Sequence, residues 1–276
     1  MKHLAKSFLF LSLLATSVGA RPLFPLDNAF AGEESSMEER VALLKGLGFP
    51  GVVTELKTFT SEWGQALRKS DLEVAATYLV LKPGKNGIVV PKGVASHLAE
   101  FKETKTQVWV TVGKVRKFEV TEAEALAAIL QVADLARENG LKTVIYPHYS
   151  FFTDTNERAL RLAQAAARED VGVAFTLCHF LRQEEPEAME ATLEAAAGHL
   201  MAVQVNGADA QGKQTGDWSR LILPVGQGDF ELGRVLSQLD EMAYEGPITL
   251  QCYGLSEPAA AHLAASAEAW RKLTTK

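Results

Sequence analysis

The sequence predicts a single (β/α)8 barrel, in which eight parallel strands alternate with helices. Short β-rich segments alternate with longer helical segments along the 276-residue chain, and eight such pairs in about 250 residues match the size of this barrel. The strands are apolar at nearly every position, as expected for parallel strands that are covered on both faces. No linker rich in Pro, Gly or Ser divides residues 21–276, so one domain is expected.

The eight predicted strands follow one another from the start of this domain to its end. In order they are LFPLD (23–27), GVVTE (51–55), VAATYLVL (74–81), VWVTVG (108–113), TVIY (143–146), VGVAF (171–175), MAVQV (201–205) and ITLQC (248–252). A doubly wound sheet is the competing arrangement, but no GxGxxG loop follows the first strand. A helical segment also follows the last strand, as a closed barrel requires.

Helical segments with apolar residues three and four positions apart separate the strands. One of them begins at Thr121, which is followed three positions later by Glu124, and ends at Asn139-Gly140. This arrangement is typical of a capping box at the start of a helix and a glycine at its end. The same apolar spacing recurs in EERVALLKGLG, TNERALRLAQAAARED, DFELGRVLSQLDEMAYEG and SEPAAAHLAASAEAWRKL.

Residues 1–20 are expected to form a signal peptide rather than part of the barrel. Two lysines in MKHLAK precede the apolar stretch SFLFLSLLATS, which is too short to span a bilayer. The small residues of VGA then provide a cleavage site before Arg21. No cysteine lies near this stretch, which excludes a lipoprotein anchor. The mature protein is therefore expected to be exported, without a membrane span, and to be periplasmic or secreted.

Composition limits the classes of partner. The formal net charge is −6, and the densest basic cluster is KVRK at 114–117, so a nucleic acid is not expected as a partner. Cys178 and Cys252 fall at the ends of non-neighbouring strands, which favours two free thiols over a disulfide. The sequence does not indicate an oligomeric state.

Two predicted strands end on a histidine, in YPH at 146–148 and in TLCH at 176–179. The carboxyl ends of the strands form the face of a (β/α)8 barrel that carries the active site. His148 and His179 are therefore candidates for acid–base catalysis, because a neutral imidazole can exchange a proton near neutral pH. A structural hydrogen bond is the alternative role for each.

Further candidates lie at the same end of the barrel. Glu55 is the best carboxylate base, unless it forms an ion pair with Lys57. Lys114 could polarise a carbonyl or hold an oxyanion, although a lysine at such a rim is commonly solvated. Side chains that could bind a polyhydroxylated ligand through hydroxyl, amide or carboxylate groups are Tyr146, Gln204, Asn206, Gln251, Asp27 and Tyr253.

The segment NGADAQGKQTGDWSR, residues 206–220, is rich in residues that favour turns. Such a long connection is typical of a loop that covers an active site, and here it includes Asp209 and Trp218. A surface excursion without a functional role is the alternative.

Six segments occur in a characteristic order along the mature chain: LLKGLGFPGV, YPH, VGVAFTLCH, QVNGAD, GQGDFEL and ITLQCYG. Together they resemble the xylose isomerase-like TIM barrels. This sugar phosphate isomerase/epimerase superfamily also includes the endonuclease IV type of repair nuclease. The resemblance implies the barrel fold and an activity on a small carbohydrate.

Metal-dependent members of this superfamily hold a divalent ion with Glu, Asp, His and Glu on strands five to eight. The resemblance places at those four positions Tyr146, Thr176, Gln204 and Gln251. Because hard cations prefer anionic oxygen ligands, the usual metal site is expected to be absent. A relocated divalent metal, on His148, His179 and Glu55, is the alternative.

The resemblance and the histidines together imply an exported sugar isomerase or epimerase that transfers a proton next to a carbonyl. His148 or Glu55 would be the base and His179 its partner, with Lys114 and the amide side chains stabilising an enediol-like intermediate. No cofactor is expected. A keto-glycoside lyase would use the same groups, and a carbohydrate-binding barrel without catalysis is the alternative from another class. A repair nuclease would need a multi-metal cluster and a basic groove, which the sequence does not offer.

Overall fold

The structure, a computed structural model, describes residues 21–114 and 119–275. Within these residues, eight parallel strands form one sheet with helices between successive strands, which confirms the predicted barrel. The predicted signal peptide and part of the KVRK cluster lie outside the described residues. No helix in the described ranges has the length and apolarity needed to cross a membrane.

The barrel strands are numbered in chain order. They are β1 (Leu23–Pro25), β2 (Gly51–Glu55), β3 (Glu73–Leu81), β4 (Gln107–Val112), β5 (Lys142–Ile145), β6 (Val171–Thr176), β7 (Leu200–Val205) and β8 (Ile248–Leu250). Each agrees with its predicted segment to within two residues at either end. A short antiparallel hairpin of Pro83–Gly84 with Gly87–Ile88 follows β3 and forms a separate sheet.

Each strand pairs in parallel with its neighbours, and the first strand returns to the last. Phe24 in β1 is opposite Thr249 in β8, and the barrel is completed by a single parallel bridge between Leu26 and Val53. All eight carboxyl ends therefore open on the same face.

The helices lie outside the strands. They are α1 (Met37–Gly46), α2 (Glu62–Lys69), α3 (Val94–Ala99), α4 (Glu122–Arg137), α5 (Asn156–Ala166), α6 (Leu177–Leu181), α7 (Met189–Ala196), α8 (Gly212–Thr215), α9 (Trp218–Leu221), α10 (Leu232–Glu241) and α11 (Ala259–Thr274). The predicted capping box begins α4: the Glu124 backbone N–H donates to the Thr121 hydroxyl at 3.2 Å, and the Thr121 N–H donates to the Glu124 carboxylate at 2.8 Å. Such a cap stabilises a helix by about 1 kcal/mol.

Alternation along β4 separates the two parts of the core. Val108, Val110 and Val112 belong to the large apolar cluster between sheet and helices. Trp109 belongs instead to the smaller cluster of buried residues, together with Val144 of β5. Because side chains of a strand alternate between its faces, Thr111 shares the inward face with Trp109. These inward positions set the floor of the barrel mouth.

The two cysteines, Cys178 and Cys252, are buried free thiols, in agreement with the prediction. Burial raises the pKa of the Cys178 thiol to about 12, and burial also raises that of Cys252. Both side chains therefore remain protonated and behave as small apolar residues.

Candidate functional site

A cavity of about 470 Å³ opens at the carboxyl ends of the strands. Five of the residues predicted to form the site line it: Tyr146, His148, His179, Gln251 and Tyr253. Seven of the residues that line it are aromatic: Tyr78, Trp109, Tyr146, Tyr149, Phe151, Trp218 and Tyr253. The sequence thus predicts the place of the cavity and part of its wall.

His148 follows β5 and faces His179, which lies in the short helix α6 directly after β6. Their ring centroids are 4.2 Å apart, and the planes are inclined at 41°. The Nδ1 atom of His148 lies 2.9 Å from the carbonyl oxygen of Tyr149. Because a carbonyl oxygen only accepts hydrogen bonds, Nδ1 carries the proton in the neutral ring. The Nε2 atom of His148 therefore has a lone pair that can accept a proton.

His179 is 5% exposed, and neither of its ring nitrogens has a hydrogen-bond partner within the described part of the protein. Burial lowers the pKa of His179 well below 6.5, and the neighbouring His148 lowers it further. A buried polar group without a partner costs about 1–3 kcal/mol. His179 lines the cavity, but both of its ring nitrogens are buried, so they do not open directly onto it.

Burial also lowers the pKa of His148, although its bond to the Tyr149 carbonyl opposes this effect. His148 is only half-buried, whereas His179 is buried. Both imidazoles are thus neutral at neutral pH. His148 is the more accessible of the two for proton transfer, and Phe151 supports it through a ring stack at 3.9 Å.

A chain of hydrogen bonds crosses the strand ends below the histidines. The Tyr146 hydroxyl donates to Gln204 Oε1 at 2.6 Å, and Gln251 Nε2 donates to the same oxygen at 3.2 Å. Asn28 Nδ2 donates to Gln251 Oε1 at 2.7 Å. Gln204 itself is 0% exposed and does not line the cavity. Tyr146 and Gln251 therefore reach the cavity, and Gln204 fixes their positions.

The four positions that the resemblance assigns to metal ligands hold neutral groups that bond to protein atoms. Burial raises the pKa of Tyr146 well above 10, so its phenol stays protonated. The Thr176 hydroxyl donates to the Pro147 carbonyl at 3.2 Å, and the amides of Gln204 and Gln251 bond to each other. This set of donors does not fit a hard divalent cation, which requires anionic oxygen ligands.

The structure does not assemble the relocated metal site either. Within residues 21–114 and 119–275, no three His, Cys, Asp or Glu side chains are placed to hold a metal ion together. The Glu55 carboxylate lies 3.0 Å from the Lys57 ammonium, which is the ion pair considered as its alternative role. Glu55 does not line the cavity beside His148 and His179.

Three other predicted residues also lie outside the cavity lining. Lys114 is exposed. Asp27 accepts a hydrogen bond from Thr54 Oγ1 at 2.5 Å, and burial raises the pKa of its carboxyl group. Asn206 is buried and donates from Nδ2 to two backbone carbonyls, those of Gly207 and Leu221, at 2.7 Å each. The geometry thus gives Asn206 a structural role.

The segment 206–221 lies against the cavity, as a covering loop requires. Asn206 joins its two ends, and an ion pair between Arg220 and Asp209 at 2.6 Å links its arms. The segment carries Trp218 to the cavity, where its ring lies 5.5 Å from that of His179 and 5.8 Å from that of Tyr149. The short helices α8 and α9 give the segment regular structure.

Sequence reasoning missed several residues of the wall, among them Tyr78, Val80, Trp109 and Thr111. They occupy alternate positions near the ends of β3 and β4, so a period of two along these strands would have narrowed the choice to one of two alternating sets of residues. Trp109 stacks on Tyr146 with centroids 5.3 Å apart and planes inclined at 19°. Its indole N–H donates to Gln107 Oε1 at 3.0 Å, which fixes the ring below the histidine pair.

Comparison with solved structures finds the same fold at low sequence identity. The 3-keto-D-glucoside 4-epimerase from E. coli is 16% identical with a TM-score of 0.68, covering 91% of this chain and 99% of that one. D-psicose 3-epimerase with D-tagatose, from Clostridium cellulolyticum, is 10% identical with a TM-score of 0.66, covering 93% and 99%. A xylose isomerase-like TIM barrel protein from Mycobacterium smegmatis, in complex with magnesium, is 14% identical with a TM-score of 0.68, covering 92% and 97%.

Comparison with curated proteins finds no significant match. The sequence model of the xylose isomerase-like TIM barrel family, however, matches residues 93–273, well over half of the chain. This range includes β4 to β8 and both histidines of the cavity. The chain therefore belongs to the xylose isomerase-like TIM barrel family.

Proposed function

We propose that the protein is an exported enzyme of the sugar isomerase/epimerase type, which transfers a proton next to the carbonyl of a sugar or keto-sugar without a divalent metal. The observation that carries the proposal is the neutral pair of His148 and His179 at the cavity, at 4.2 Å between centroids. Membership of the family supports the class of reaction, and the sugar and keto-sugar epimerases among its structural neighbours agree with it.

In the proposed reaction, His148 is the base. Its Nε2 lone pair takes the proton from the carbon next to the substrate carbonyl, so that a C–H bond breaks and an N–H bond forms. The electron pair of the C–H bond moves into a new carbon–carbon double bond and leaves the carbonyl oxygen as an enediolate. In an isomerisation, His148 then returns the proton to the former carbonyl carbon. The adjacent hydroxyl loses its proton, the former carbonyl oxygen gains one, and the electrons of the double bond form the new C–H bond while the carbonyl forms at the adjacent carbon.

His179 has the complementary role. A neutral imidazole has one N–H donor and one acceptor nitrogen, and neither is used within the described protein. To stabilise the enediolate oxygen where its charge develops, the buried N–H would have to become exposed to the cavity when the substrate binds. Gln251, Asn28 and Thr111 bring further hydrogen-bonding groups to the same cavity.

The arrangement of the pair favours transfer on one face of the substrate. A two-base inversion would need a base on each side of the reacting carbon. His148 and His179 lie side by side, too close for a sugar ring between them. Among the described residues that line the cavity, they are the two imidazole side chains. The geometry therefore supports isomerisation, or the elimination catalysed by a keto-glycoside lyase, better than a two-base epimerisation.

Glu55 and Lys114 are not needed in this scheme, because neither lines the cavity. A carbohydrate-binding protein without catalysis is the second candidate. The neutral side chains at the four usual ligand positions favour it, since none of them is an anionic ligand of the kind that a hard divalent cation prefers.

Solvent-proton exchange tests the proposal. The mature protein is incubated in D₂O with a panel of aldoses, ketoses and keto-glycosides, and NMR measures deuterium incorporated next to the carbonyl. His148→Ala is expected to slow exchange by about a hundredfold or more, the usual contribution of a general base, while calorimetry shows binding within a few-fold of the original. His97→Ala, on the outer helix α3, is the matched control and keeps full activity.

Two results would contradict the proposal. If His148→Ala exchanges protons as fast as the original protein, His148 is not the base. If sugars bind but no variant or original protein exchanges protons with any of them, the protein is a carbohydrate-binding barrel.

A further inference from the structure

The cavity has two parts that differ in exposure and chemistry. The inner part is lined by polar residues that are nearly buried: Thr111, Tyr146, His179 and Gln251. The outer part is bounded by Tyr149, Trp218 and Tyr253, which are partly or largely exposed. Hydrogen-bonding groups thus lie at the bottom of the cavity, and flat aromatic surfaces lie at its entrance.

The outer aromatic rings are held in place by contacts of their own. Trp218 meets Tyr149 edge to face at 5.8 Å, and the Arg182 guanidinium lies 4.8 Å from the Tyr149 ring. Tyr253 is 65% exposed, although its backbone N–H donates to Gln251 Oε1 at 3.0 Å. The contacts thus hold the rings of Tyr149 and Trp218, whereas Tyr253 offers an exposed aromatic surface at the rim that suits a flat ligand.

The size of the cavity also exceeds that of one sugar ring. A hexose fills roughly 200 Å³ at the packing density of a protein interior, whereas the cavity holds about 470 Å³. A sugar ring placed against the histidine pair therefore leaves more than half of the space unfilled. That remaining space is the part bounded by Tyr149, Trp218 and Tyr253.

The lining indicates the charge of the ligand. Among the described residues that line the cavity, none is Asp, Glu, Lys or Arg. A phosphate or carboxylate group on the ligand would have to leave water without a charged partner, which is costly. An uncharged ligand enters such a cavity without this cost.

We infer that the substrate is an uncharged keto-glycoside with a flat, apolar aglycone, which lies against the rings of Tyr149, Trp218 and Tyr253. Its sugar ring lies against His148 and His179. The inference rests on the proposed function, because it places the sugar at the same histidine pair. It adds the substrate class: a glycoside of an aromatic alcohol, rather than a free or phosphorylated sugar.

Binding of paired glycosides tests the inference. Calorimetry compares methyl and para-nitrophenyl glycosides of glucose, galactose, mannose and xylose, in both anomers, with a hexose phosphate and a para-nitrophenyl glucuronide as charged probes. In at least one pair the aryl glycoside is expected to bind about tenfold more tightly, because its ring buries apolar surface that the methyl group lacks. Both charged probes are expected to bind more weakly than that aryl glycoside.

Variants at the rim locate the preference. Tyr253→Ala is expected to reduce the aryl preference towards that of the methyl glycosides, while the affinity for methyl glycosides changes little. Tyr253→Phe keeps the ring and loses only the hydroxyl, so it is expected to retain the preference. Because Tyr253 is largely exposed, its variants should fold as the original protein does.

The outcomes separate this inference from the proposed function. Equal affinities within every pair that binds, or tighter binding of a charged probe, would overturn the inference. Proton exchange that depends on His148 would in that case still support the proposed reaction on a smaller substrate. If no glycoside binds and no sugar exchanges protons, both the inference and the proposed function fail.

Discussion

His148 and His179 share one contact but have different hydrogen bonding: Nδ1 of His148 bonds to the Tyr149 carbonyl, whereas both nitrogens of His179 lack a partner in the described protein. The bond fixes which nitrogen of His148 can accept a proton. No bond selects a tautomer for His179, and both of its ring nitrogens are buried. Because two cations this close would repel each other, the pair holds at most one extra proton near neutral pH.

The pH dependence of the proposed reaction follows from the neutral state of His148. The base must be unprotonated, and burial lowers its pKa below the ordinary 6.5. The rate is therefore expected to be constant from alkaline to neutral pH and to fall only below 6.5. A profile of kcat/KM against pH checks this, because it reports groups of the free enzyme. A decline that begins well above 6.5 would show that another group limits the rate.

His179 should make the stability of the fold depend on pH in the acid range. In the unfolded chain its pKa is near 6.5, whereas burial holds the folded pKa well below that value. As the pH falls below 6.5, the unfolded chain binds the proton first, so the folded state loses stability. Above 6.5 neither state binds the proton, and the full stability is present.

Replacement of His179 by Asn should therefore reduce the slope of the free energy of unfolding against pH below 6.5. Urea unfolding at several pH values measures it. Some slope should remain, since the pKa of His148 is lowered in the same direction. An unchanged slope in the variant would mean that His179 is protonated, or has found a partner, in the folded protein.

The positions of the two histidines could be predicted because they depend on strand ends, which the apolar pattern locates within two residues. The contact between the two rings could not be predicted, since it depends on how the start of α6 packs against the turn after β5. Glu55 shows the same limit: its place at the end of β2 was predicted, but its side chain pairs with Lys57 rather than entering the cavity. A strand end fixes a position, and the neighbouring packing decides the direction of the side chain.

The inward residues of β4 could have been predicted more fully. Trp109 and Thr111 alternate with Val108, Val110 and Val112, yet every position of this strand is buried. Because the strand is apolar on both faces, the pattern alone does not show which residues face the barrel. Only the residues that face the interior can lie near the strand-end histidines, and the closed barrel is needed to show which set of β4 residues that is.

Chelation should leave the protein unchanged. The positions that would bind a divalent ion hold neutral groups that bond to one another, so elemental analysis of the untagged mature protein is expected to find no stoichiometric divalent metal. EDTA should alter neither the rate of proton exchange nor the Tm. A relative with a complete set of carboxylate ligands serves as the control and should lose activity. About one tightly held ion per chain would overturn the proposal of metal-free chemistry.

Asn206 should matter for the cavity although it does not line it, because its amide joins both ends of the segment that carries Trp218. In Asn206→Ala the carbonyls of Gly207 and Leu221 lose a donor at 2.7 Å each, which should lower the free energy of unfolding by about 2 kcal/mol. Trp218 would then be held less firmly against His179, so KM should rise more than kcat falls.

Asn139→Ala is the matched control, since that amide donates to one carbonyl, of Leu135, at the end of α4. Urea unfolding and steady-state kinetics measure both variants. If Asn206→Ala loses only as much stability as Asn139→Ala and its KM is unchanged, the segment holds its position without Asn206.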